Sequence, residues 1–152
     1  MIYNLDVMRI LNKRAYHKYN IEEHLEGGLV LTGSEVKSIR AGRIDLTEAH
    51  IKILSSEAFL VNAQFLPLQT TDKSFESARS RKVLLHRAQI DSLIGKTSQK
   101  GVVLVPLSLY EKDNKFKIEI GIGKSKKEYD HRKSIKEKDN QRRMEQELRG
   151  KE

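Results

Sequence analysis

VVLVPLSLYEKDNKFKIEIGI, residues 102–122, decides the fold. In its second half Phe116, Ile118, Ile120 and Ile122 alternate strictly with Lys117, Glu119 and Gly121. A period of two marks a strand with one face buried. The first half, Val102–Tyr110, is an apolar run of strand length, and Lys112-Asp113-Asn114-Lys115 between the halves has the composition of a tight turn. Two antiparallel strands follow from this one stretch.

The same alternation recurs upstream. Tyr19, Ile21, Leu25, Leu29 and Leu31 hold odd positions against Lys18, Asn20, Glu22, His24 and Glu26. A second hairpin is predicted where Ile51 and Ile53 are separated by Ser55-Ser56-Glu57 from Phe59, Val61, Ala63 and Phe65. Between these units TGSEVKSIRAG reads as a short helix, with Val36 and Ile39 on one side, Thr32 or Ser34 as cap and Gly42 as terminator. Residues 67–82 read as a polar loop ending in Arg79, Arg81 and Lys82. A helix with Ile90, Leu93 and Ile94 on one face follows, closed by the segment from Gly95 to Gly101. Five or six antiparallel strands with two or three short helices are too few for an open two-sided sandwich. The expectation is a mainly β protein, a small closed antiparallel barrel of the OB type.

Composition bounds the partners. Among 152 residues 38% are hydrophobic and 33% charged, and the net charge is +8. Such an excess points to an anionic polymer or a membrane surface. No cysteine is present, which excludes disulfides, thiolate metal sites and cysteine nucleophiles. MIYNLDVMRILNKR contains no continuous apolar segment, and the longest apolar run, Val102 to Leu107, is too short to span a bilayer. A soluble cytoplasmic protein without cofactor or metal is expected.

Three stretches carry candidate chemistry. In NKRAYHKYNIEEHLEGG (12–28), Asn12, Lys13 and Arg14 could meet phosphate and sugar, while Glu26 could accept from a base amine or ribose hydroxyl; the alternative is an ordinary strand entry with exposed charges. The helix with Glu35, Lys37, Arg40 and Arg43 is either a basic ridge or the wet side of an amphipathic helix. In ARSRKVLLHR (78–87), Arg79, Arg81, Lys82 and Arg87 surround Val83, Leu84 and Leu85, offering phosphate contacts beside apolar groups that could stack on an unpaired base. Its alternative is a helix with core leucines and solvated cations. The five histidines show no i,i+4 spacing, and hydrolase motifs are absent, so enzyme chemistry has no positive support beyond His24 and Glu26 sharing a strand face.

The end of the chain differs from the rest. Residues 124–152 hold 11 Lys+Arg against 7 Asp+Glu, and no Gly or Pro lies between Lys126 and Arg149. Glu128→Arg132, Asp139→Arg143 and Glu145→Arg149 are acid-before-base pairs at i,i+4, which favour helix. Tyr129, Ile135, Met144 and Leu148 are too scattered for a core-facing stripe. The segment is expected to be disordered alone and helical against RNA, or to be a solubilising extension.

NKRAYHKYNIEEHLEGG, TGSEVKSIRAGR, SRKVLLHRAQIDSLIG, VPLSLY and IGIGKSKKEYDHRKSIKEKD together resemble, in order and spacing, the SsrA-binding protein SmpB family from about Leu11 to Asp139. The resemblance implies an OB-like body, residues 1–123, that binds the tRNA-like domain of transfer-messenger RNA, and a basic tail, residues 124–152, for the ribosome. It implies no catalysis by the protein, a monomer and no membrane partner. The body set is Asn12, Lys13, Arg14, Glu26, Lys82, Leu84 and His86. The tail set for the decoding centre and empty messenger channel is Lys124, Lys126, Lys127, Tyr129, Asp130, Arg132, Ile135 and Lys136. Ser125 and His131 depart from the family's usual GKGKK and DKR, and His131 carries less positive charge at neutral pH than the lysine it replaces. A ribosome-associated structural RNA-binding protein and an RNA-processing enzyme are the alternatives.

Overall fold

The computed structural model describes residues 9–68 and 75–150, with side chains of 127–134 outside the description. The hairpin that opened the reading is its spine: β8 (Val102–Lys112) and β9 (Lys115–Ser125) pair antiparallel from Val102↔Lys124 to Lys112↔Lys115. Asp113 and Asn114 turn the chain at φ 52° and 61°, a left-handed conformation these short polar side chains tolerate. On its other edge β9 pairs with β2 (Tyr19–Leu29), so three long strands lie side by side.

Shorter elements complete the sheet. They are β1 (Arg9–Leu11), β4 (His50–Leu54), β5 (Glu57–Val61) and β7 (Arg81–Leu84), giving the order β1-β8-β9-β2-β7-β5-β4. β3 (Ile44–Asp45) and β6 (Gln64–Phe65) form a separate two-stranded ladder. Every pairing among the described residues is antiparallel. The last strand, β4, comes back against β8, so the sheet curls around its own apolar face. The additional strands have two to four residues, too short to display a period, which is why five or six were expected.

Among the described residues four helices decorate the sheet: α1 (Lys13–Lys18), α2 (Gly33–Arg40), α3 (Arg87–Thr97) and α4 (Lys126–Arg149). α2 is the expected short helix, and Thr32 and Glu35 form a reciprocal capping box, with Gly42 at φ 71° beyond its end. α3 buries Ile90 and Leu93, leaves Ile94 partly in solvent, and runs through Gly95 to end before Gly101. α1 was not foreseen, since Ala15 is its one buried residue.

The core is divided. Leu29, Ile51, Leu60, Phe65, Val83, Leu104, Leu109, Ile118, Ile120 and Ile122 belong to the main cluster, whereas Ala15, Val105 and Leu107 form a smaller one joined by Tyr19 and Ile21. Register shifts at Ile21/Glu23 and Pro106/Ser108 make this possible. Each bulge offsets the pleat by one residue, so odd-numbered apolar residues face the α1 side before it (Tyr19, Ile21, Val105, Leu107) and the main core after it (Leu25, Leu29, Leu109).

Candidate nucleic-acid interface

The sheet order brings together residues far apart in sequence. Gly28 on β2 is the cross-strand partner of Lys117 on β9 and of Leu84 on β7, and Lys117 is in turn opposite Tyr110 on β8. Cross-strand partners share a face, so Lys117, Gly28 and Leu84 form a row whose middle member has no side chain. The result is a trough with a cationic wall, an apolar wall and a flat floor. It widens into a groove of about 690 Å³ lined by Glu26, Gly27, Gly28, Val36, Leu84, Leu85, His86, Gln89 and the hairpin end Asn114–Lys117.

Glycine is required beneath this groove. A Cβ at Gly27 would lie 2.8 Å from Val83 Cγ1 and 2.9 Å from Leu85 Cδ2, so β7 approaches β2 this closely only over a bare backbone. Leu84 alternates outward from buried Val83 and is 53% exposed, an apolar side chain left uncovered. His86 is exposed at the N-terminus of α3, where its N–H donates to Gln89 Oε1 at 2.9 Å.

Glu26 supplies the groove's acid. Its carboxylate accepts from the Tyr110 hydroxyl, and Lys112 Nζ lies 3.9 Å from Oε1. Burial first, and then the bond to Glu26, push the Tyr110 hydroxyl well above its ordinary range, so it stays a donor. In the next row Glu119, opposite Glu26, accepts from Ser108 Oγ at 3.1 Å and from Arg9 at 3.2 Å, and meets His24 Nδ1 at 2.7 Å. Burial acts to raise the Glu119 pKa, and the bonds from His24 and Ser108 outweigh it to hold it low. His24 and Glu26, which share a face, are thus engaged with different partners.

The remaining body residues divide. Lys82 lies outward on β7, two positions from Leu84, with Glu57 at 3.4 Å. Lys13 is exposed, and Arg14 is 3.4 Å from Glu48. Asn12 differs from expectation: it is 5% exposed and its Nδ2 donates to Leu46 O at 3.1 Å and Pro106 O at 2.8 Å. It is a strut that fixes α1 onto β8. Asn12 and Arg14 line a second cavity of about 550 Å³ with Lys18, His50 and Lys52, which shares no lining residue with the groove.

Of the expected surface cations, Arg81 is corrected, while Arg79 stays partly exposed. Arg81 is fully buried, bonded to Glu35 and to the carbonyls of Ala63, Glu76, Ser77 and Arg79, with its guanidinium 3.8 Å from the Phe65 ring centroid. Arg79 also pairs with Glu35, through Nε at 3.3 Å to Oε2. Glu35, read as part of the wet side of α2, is buried between them. This cluster ties α2 to β7 and to the loop before it. Lys115, Phe116, Lys117, Tyr110 and Gln89 were missed as site residues; the lysines flanking the turn were the available signal.

In the tail, Lys124 belongs to the sheet, paired with Asn20 and Val102. Lys126 opens α4, and Ile135 and Lys136 are exposed on it. The side chains of Lys127, Tyr129, Asp130 and Arg132 lie outside the described residues. No group of three or more His, Asp or Glu able to hold a metal, and no helix long and apolar enough to cross a membrane, occurs among the described residues.

These features define a mainly antiparallel β protein with a mixed cationic, acidic and apolar groove, and a basic helix appended to it. The family model described as SmpB protein matches residues 9–150, and the chain belongs to that family. It is similar to the SsrA-binding protein of Pelobacter propionicus, 48% identical over 141 residues covering 92% of this chain and 93% of that one. The SsrA-binding protein of Bacillus pumilus is 48% identical over 139 residues, covering 91% and 89%. A chain of the solved structure described as "tmRNA-SmpB: a journey to the center of the bacterial ribosome" superposes with TM-score 0.66 at 37% identity, over 79% of this chain and 84% of that one.

Proposed function

We propose that this protein binds the tRNA-like domain of transfer-messenger RNA in the Glu26–Gly28–Leu84–Lys117 groove and delivers it to stalled ribosomes for trans-translation. The tail occupies the decoding centre and the empty messenger channel. It acts in the cytoplasm, where ribosomes are, by holding and positioning RNA rather than by making or breaking bonds.

The observation that carries this is the cross-strand row itself. Leu84 offers a surface on which an unpaired base stacks, the glycine floor lets the base lie close, and Lys115 and Lys117 meet the phosphates on either side. Glu26 cannot bind phosphate; a carboxylate accepts only from amine or hydroxyl donors. An acid in a basic groove therefore selects a particular nucleotide feature at the expense of general affinity for RNA.

Binding titrations with the tRNA-like domain test this. With about six to eight phosphates neutralised, log K falls against log salt with a slope of roughly −5 to −7. Glu26→Ala makes the protein more positive, yet weakens binding by about tenfold, the worth of one hydrogen bond to a charged group. Unchanged or tighter binding by this variant, or equal affinity for any duplex RNA, would refute the groove as the recognition site.

A further inference from the structure

We infer that Tyr110 is a positioning residue for RNA recognition, holding the Glu26 carboxylate in the orientation the RNA requires; the inference rests on the groove being the site for transfer-messenger RNA. Tyr110 stands on β8 and Glu26 on β2, with β9 between them. The phenol spans that strand diagonally, from the row of Lys117 and Gly28 to the row of Glu119, and donates to Glu26 Oε2.

The ring is well fixed for this task. It is 6% exposed and lies beneath the Arg9 guanidinium, 4.2 Å from its centroid. Arg9 is itself held by Ser108 Oγ and Glu119 Oε2, at 3.4 and 3.2 Å. A glutamate on an open strand face has three rotatable bonds to immobilise when it binds. Tying one oxygen to a rigid phenol removes most of that freedom in advance and leaves Oε1, near Lys112, for the incoming donor. Phenylalanine would fill the same space among β1, β8 and β9, so the hydroxyl's contribution is separable from the ring's packing.

The test is a double-mutant cycle in the full chain, with affinity for the tRNA-like domain as readout at several salt concentrations. Tyr110→Phe is expected to weaken binding about three- to tenfold with the salt slope unchanged, because no charge is lost. In a Glu26→Ala background the same change should have no further effect. Wild-type affinity in Tyr110→Phe, or a loss that persists undiminished without Glu26, would overturn the positioning role. The proposed function has its own check in the same experiment: wild-type protein that does not prefer the tRNA-like domain sinks that reading and this inference with it, whatever Tyr110→Phe does.

Discussion

Arg81 and Lys82 are neighbours with opposite roles. Lys82 points outward, near Glu57, whereas Arg81 is enclosed with Glu35 and four carbonyls. Removing one partner of a buried pair strands the other without solvent, so Arg81→Ala is expected to cost about 3–5 kcal/mol. Lys82→Ala should stay within about 0.5 kcal/mol and instead weaken RNA binding. Denaturant unfolding at neutral and acid pH measures both. Burial acts to raise the pKa of Glu35, but the bonds from Arg79, the Thr32 N–H and Arg81 prevail and hold it below the ordinary carboxylate range. A carboxyl depressed on folding contributes stability above its unfolded pKa and loses it as pH falls through the folded value. The gap between Arg81→Ala and wild type should therefore narrow in acid. Neither the burial nor the partner was legible in ARSRKVLLHR, because Glu35 is 46 positions away and a cation among cations reads as surface.

At the scale of elements, β2 shows where alternation succeeds and where it fails. Its inward Leu25 and Leu29 and outward Glu26 follow the period of two, and the hairpin of β8 and β9 was legible for the same reason. The bulges were not, since a register shift is set by the partner strand and leaves no periodic trace. The part played by the double glycine, Gly27-Gly28, was not legible either, because it depends on the approach of β7. Its two members differ physically: a methyl on Gly27 meets Val83 and Leu85 below 3.0 Å, while one on Gly28 finds Leu84 Cβ at 3.4 Å and opens into the groove. Gly27→Ala should lose about 1–3 kcal/mol through overpacking. Gly28→Ala should unfold at nearly the wild-type midpoint and bind RNA several-fold more weakly, because its methyl raises the floor. Equal effects of the two on stability would show that β7 does not approach β2 as described.

The whole molecule has a body that closes on itself and a helix that does not. α4 has 24 residues, about 36 Å at the usual rise, and meets the body against β2 and β9. From Ile135 to Gly150 its residues are exposed. The helical preference was readable in its acid–base pairs and its lack of Gly and Pro. Where it begins was less so, since β9 carries the sheet through Lys124 to Ser125. Which body residues meet in one groove could not come from local pattern, because the order β8-β9-β2-β7 joins strands that are not consecutive.

The proposed function divides the labour: the groove holds the carrier RNA, and the segment after the sheet engages the ribosome. Ending the chain after Ser125 keeps every strand pairing and removes α4. The measurement is to follow, for this truncated protein, affinity for the tRNA-like domain together with rescue of ribosomes stalled on messages without a stop codon. RNA affinity is expected within about threefold of the full chain, with the salt slope reduced by at most about 1 for each phosphate contact the tail supplied, and rescue abolished. Loss of RNA binding along with rescue, or rescue that survives the truncation, would contradict it.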